Sequence, residues 1–179
     1  MIQLIKHFLI ILFLLVCQLA ILPNFPWYLS DLNLVLVMII FIAVVYSFQL
    51  AVVYSFILGL LLDSFSTMSF GAYLIALILT VYIVYKLFER FLTNKSAYTL
   101  IGLTAIATVF FNIVIYLYKM LFYYQNAREV LSIDLIKSWI FQDFISQIII
   151  NLFFVAVLFV AFHFSSNRFK AVFIDTTKN

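Results

Sequence analysis

From Leu32 to Leu62 the chain carries no charged residue and no proline, and its first glycine there is Gly59. One continuous helix over that run would be about 46 Å long at 1.5 Å per residue. A bilayer hydrocarbon core is only about 30 Å thick. No aqueous core offers such a run a home either. With 68% of residues hydrophobic and 9% charged, far below the quarter or so usual in soluble domains, the solvent for this chain is lipid. The apolar runs are continuous rather than alternating, which selects helices over barrel strands. The expected fold is therefore an all-α, polytopic membrane bundle.

The long run is best divided into two spans that reverse near Tyr46-Ser47-Phe48-Gln49. The whole chain then reads as a single membrane domain with six spans, at about residues 7–22, 32–46, 48–62, 70–85, 98–118 and 139–164. Pro23 and Pro26 end the first, because proline lacks the amide proton a helix needs. Residues 1–22 have the look of a signal peptide, with Lys6 ahead of an apolar stretch. No small-residue cleavage site follows, so the segment is expected to stay as the first helix. Trp27 and Tyr28 suit the membrane–water interface.

Six spans put both termini on one side. That side holds Lys6, Lys86, Arg90, Lys95, Arg168, Lys170 and Lys178, against Lys119, Arg128 and Lys137 on the other. The excess of basic residues places both termini in the cytoplasm. The net charge of +3 follows from this asymmetry and calls for no nucleic-acid partner. The lone Cys17 is a small hydrophobe in an apolar segment.

Ionisable groups within spans are costly and point to function by default. Asp31, Asp63, Asp143 and Lys119 all fall toward the outer side, where they could line a polar pocket. Asp143, Gln147 and Asn151 are four residues apart and share one helix face. The plainer reading of that face, and of Asn112, is interhelical hydrogen bonding, and it is preferred here. Asp31, after Ser30, reads as the N-cap of the second helix. Asp63 closes a helix C-terminus, where the macrodipole disfavours a carboxylate. It is expected to accept backbone amides at the start of the next span, with Ser64, Ser66, Thr67 and Ser69 as further caps. On that reading Asp63→Asn is a mild change. Gly59 and Gly71, a turn to either side, permit close helix approach. His7, His163 and Cys17 have no metal-ligand spacing, and no nucleophile–base set or phosphate loop appears. Neither an enzyme nor a cofactor is expected.

Three elements together resemble the rod shape-determining protein MreD family. Asp31-Leu32 opens the second segment, Gly59-Leu60-Leu61-Leu62-Asp63 ends the third, and a serine-rich link leads to Gly71. Length and span number also fit. The resemblance implies a non-enzymatic membrane scaffold subunit of the bacterial elongation complex, which builds peptidoglycan and sets cell shape. It implies as partners membrane lipid, the single-span protein MreC and other elongation-complex proteins. Gly59, Ser55 and Asn112 are candidates for the docking face. The family is similar in architecture to the substrate-binding subunits of energy-coupling-factor vitamin transporters, the alternative function. Those subunits dock through an Ala-x-x-x-Ala pattern in the first helix, whereas this first segment has only Ala20.

Overall fold

A computed structural model describes residues 2–25, 29–91, 96–122 and 144–165. Helix α1, Ile2–Val16, continues through a π-helical turn, Cys17–Ile21, into a 3-10 turn, Leu22–Asn24, that contains Pro23. A second 3-10 turn, Leu29–Asp31, leads to α2, Leu34–Val45. Then come α3, Phe48–Phe65; α4, Ala72–Phe91; α5, Ala97–Phe122; and α6, Ile145–Ser165. Among the described residues there is no strand.

The uncharged run breaks between α2 and α3, where the chain was expected to reverse. Tyr46 ends α2, and the side chain of Ser47 caps α3 by accepting from the Leu50 amide at 3.3 Å. Four stretches are long and apolar enough to cross a membrane: Ile5–Asn24, Phe48–Phe65, Ala72–Arg90 and Ala97–Phe122. Two apolar helices, Leu34–Val45 and Ile145–Ala161, are shorter.

Several helices run past the expected limits of their spans: α1 begins at Ile2 and α3 continues to Phe65, taking in Asp63. Helix α4 continues through Lys86, Glu89 and Arg90, and α5 continues through Lys119. Lysine, glutamate and arginine are good helix formers, and a cation in a last turn complements the macrodipole. Lys86 lies 5.9 Å from the centroid of the Tyr82 ring one turn back, and the Tyr85 hydroxyl donates to Glu89. The helix leaves the apolar region without unwinding.

The outside of the bundle is apolar. Ile149, Phe153, Val157 and Val160 line one exposed stripe of α6, and Ile75, Leu79 and Tyr82 one of α4. Phe8, Leu12 and Phe13 do the same on α1. These are lipid-facing surfaces, and the arrangement is a helical membrane bundle.

Helix α2 is the exception. Val35, Leu36, Val37, Ile39 and Ile40 are all fully buried. A helix that is apolar all round and buried all round is a core element. It packs against α1, α3, α4, α5 and α6. At 12 residues it is about 18 Å long, short of the hydrocarbon thickness. It can be short because protein, not lipid, surrounds its start and most of its length.

Two hydrogen bonds tie the periphery together. The His7 Nδ1 and Tyr54 Oη atoms are 2.7 Å apart, joining α1 to α3. Their rings meet edge to face, with centroids 5.8 Å apart. His7, which the sequence offers no metal partner, is thus part of a helix–helix contact. The Tyr118 hydroxyl donates to the Phe70 carbonyl at 2.9 Å, joining α5 to the link before α4.

Candidate functional site

The polar residues of the bundle gather at one end. There α3 and α5 finish and α2, α4 and α6 begin, so successive helices alternate in direction. Three arrangements occupy that end.

The first is a carboxylate clamp. Asp63 lies in the last turn of α3 and is only 4% exposed. Its Oδ1 accepts the Tyr73 amide at 2.8 Å and its Oδ2 accepts the Leu74 amide at 3.0 Å. Both amides belong to the first turn of α4, where four N–H groups lack intrahelical partners. Negative charge is favourable at that helix end, which offsets its poor position on α3. The serines play other parts. Ser64 donates back to the Leu60 carbonyl at 2.9 Å, and Ser66 closes α3 while accepting the Met68 amide at 3.3 Å. Capping of α4 falls to Asp63.

Gly59 holds the clamp at short range, whereas Gly71, expected to permit close approach too, has only ordinary contacts around it and serves the turn instead. A Cβ on Gly59 would lie 2.7 Å from the Leu74 Cα, so α3 and α4 touch backbone to backbone. Gly71 has φ of +102°, a conformation that side chains with a Cβ rarely adopt. Gly59 and Ser55 therefore offer no docking face to a partner. Gly59 is filled by α4, and Ser55 is buried with its hydroxyl on the Ala51 carbonyl.

The second arrangement completes the start of α2 inside the bundle. The N-cap is Asn33, not Asp31: Asn33 Oδ1 accepts the Leu36 amide at 3.0 Å. The sequence put the cap too early because the chain makes a 3-10 turn at Leu29–Asp31 before α2 begins. Asn151 Oδ1, on α6, accepts the Asn33 amide at 3.0 Å. Gln18 Oε1 accepts the Val35 amide at 3.4 Å while its Nε2 donates to the Leu32 carbonyl at 3.2 Å. Orphan amides cannot be left bare in a membrane interior, and side chains from α1 and α6 supply the acceptors.

The same face of α6 reaches α5. Asn151 Nδ2 donates to Thr108 Oγ1 at 3.1 Å, and Thr108 donates to the Thr104 carbonyl at 2.9 Å. Asn112 Nδ2 donates to the Thr108 carbonyl at 2.9 Å and also to Gln147 Oε1. Asn151, Thr108 and Thr104 are fully buried. Gln147, Asn151 and Asn112 thus meet, while Asp143 lies outside the described residues. Sequence reasoning missed Asn33 and Thr108. A signal existed for the second: Thr104, Thr108 and Asn112 repeat every four residues, the same interval as Gln147 and Asn151.

The third arrangement is a cavity of about 540 Å³. Asp31, Asn112, Lys119 and Gln147 line it, with Gln18, Leu62, Phe65, Phe111 and Ile115. Asp31, Asn112, Lys119 and Gln147 thus share one site, as the outer-pocket expectation has it for Asp31 and Lys119. Asp63 does not join them, since both its oxygens turn to α4. Asp31 accepts the Ser146 hydroxyl across the α2–α6 boundary. Among the described residues no group of three His, Cys, Asp or Glu is placed to hold a metal.

Searches of characterised proteins and of solved structures return no match. The family profile described as rod shape-determining protein MreD matches residues 1–164 of the 179-residue chain. That span takes in the clamp, the buried start of α2 and every lining residue of the cavity. The chain belongs to the MreD family, and it is a multi-pass, rod shape-determining protein of the bacterial membrane.

Proposed function

We infer that the protein acts as a non-enzymatic scaffold of the complex that elongates the bacterial cell wall. It holds a single-span, MreC-like partner and, through it, the other elongation proteins. The carrying observation is the family match over residues 1–164. The interior chemistry supports it. Asp63 is the one buried carboxylate among the described residues, and both its oxygens accept backbone amides. It is a structural tie between α3 and α4. Among the other deeply buried polar groups, Asn33 and Asn151 complete the start of α2, Asn151 and Thr108 join α6 to α5, and Ser55, Thr80 and Thr104 donate to carbonyls one turn back in their own helices.

Both termini face the cytoplasm on this reading, because the basic residues concentrate at that end. Cysteine labelling tests the orientation. In a Cys17→Ser background, a cysteine at Ser47 or Ser96 should react from the inside only, and one at Thr67 from the outside. Outside labelling at Ser96 sinks the orientation.

Co-purification in mild detergent tests the function. An MreC-like protein should be recovered with this chain, and depletion should round a rod-shaped host. Tight binding of a vitamin with no such partner recovered would instead favour the transporter-subunit alternative.

A further inference from the structure

We propose that the cavity at the clamped end binds one phospholipid headgroup that carries both a phosphodiester and a primary ammonium group. The proposal does not depend on which protein partner the chain holds.

Size sets the first constraint. At about 540 Å³ the space falls in the range of small-molecule sites, roughly 300–1,000 Å³. It is too large to be a packing defect in a membrane interior, and it has room for a headgroup with its glycerol.

Charge sets the second. Asp31 and Lys119 come from different parts of the chain and line the same space. Asp31 Oδ2 takes the Ser146 hydroxyl, which leaves its other oxygen. Lys119 makes no ion pair among the described residues. Both side chains are half-buried and line the cavity. A plain anion would satisfy Lys119 but meet Asp31; a plain cation would do the reverse. A ligand bearing both signs satisfies both walls, with phosphate oxygens on the Lys119 ammonium and the ligand ammonium on Asp31.

The remaining walls choose a lipid over a free zwitterion. Leu62, Phe65, Phe111 and Ile115 line the same cavity, a poor surface for a fully water-soluble molecule. The neighbouring exterior is apolar as well. Phe65, Phe70, Leu121 and Phe122 are all well exposed at this end, so it sits at the lipid boundary. A headgroup at that level reaches the cavity by lateral diffusion within one leaflet.

The test uses the full chain, purified in detergent and exchanged against defined lipids, with retained lipid read by native mass spectrometry. Phosphatidylethanolamine should be retained at one per chain, ahead of phosphatidylglycerol. Lys119→Gln should weaken retention of both about tenfold or more, as loss of a charged hydrogen bond does. Lys119→Arg should restore it, which separates charge from misfolding. Asp31→Asn keeps an acceptor for Ser146 and should abolish the preference for the ethanolamine headgroup. Equal retention by the wild-type chain and Lys119→Gln overturns the proposal. So does competition by soluble phosphoethanolamine at the same concentration as the lipid, which would assign the site to a free metabolite. A photo-crosslinker in place of Ile115 that captures a partner protein and no lipid overturns it too.

Discussion

Replacing Asp63 tests whether one carboxylate joins two helices. In the wild-type chain two oxygens serve two amides, Tyr73 at 2.8 Å and Leu74 at 3.0 Å. Asparagine keeps the shape but has only one acceptor oxygen. Its NH2 group would face an N–H, donor against donor. One buried amide is then unpaired, at about 1–3 kcal/mol. The charge that favours the α4 N-terminus is also lost, at about 0.3–1 kcal/mol and up to roughly 2 when partly buried. Asp63→Asn should therefore destabilise by about 1–5 kcal/mol. The sequence alone suggested a mild change, because it could not show that both oxygens are engaged. Asp63→Leu leaves both amides bare, at about 2–6 kcal/mol. Denaturant-driven unfolding in mixed micelles, followed by loss of helical circular dichroism, gives the ranking wild type, then Asn, then Leu. An Asn variant as stable as the wild-type chain would refute the two-acceptor clamp.

Other substitutions separate the remaining features. Gly59→Ala places a Cβ against the Leu74 Cα and should cost about 1–3 kcal/mol through overpacking; trimming the Leu74 side chain should not rescue it, since the clash is with backbone. Gly71→Ala must hold φ near +102° and should lose about 1–2 kcal/mol, read as a lower melting temperature in detergent. Gly102→Ala is the control: nothing lies within 4 Å of the added Cβ, and stability should rise by about 0.5–1 kcal/mol from helix propensity. Asn151→Leu removes the acceptor of the Asn33 amide and should cost about 1–3 kcal/mol, with amide exchange at the start of α2 accelerated.

What could be read in advance follows from range. The break at Tyr46-Ser47 was legible because no helix of that length fits a bilayer. The partners of Asp63 were legible because the macrodipole argues against a carboxylate at one helix end and for it at the next. Asn33 was not, because a local search for caps stops at Ser30-Asp31, and only the intervening 3-10 turn moves the true start of α2. The role of Asn151 was beyond local reasoning, since its partner Asn33 is 118 positions away. The cavity was only half legible. Composition suggested a shared site for Asp31 and Lys119, but nothing local showed that Asp63 would turn away from it.

The enclosed α2 imposes an order on synthesis. It is made before α4, α5 and α6, the helices that will later cover it. Until then Asn33 caps the Leu36 amide, but the Asn33 amide itself lacks its acceptor and faces lipid or the insertion machinery. Gln18 is already in place and can take the Val35 amide at once. Asn151 arrives only with the last helix. A ribosome-released chain ending before α6 should therefore keep α2 loosely seated, and an accessible cysteine at Val37 should become protected only when α6 is added. Protection in the truncated chain would show that the first five helices close around α2 unaided.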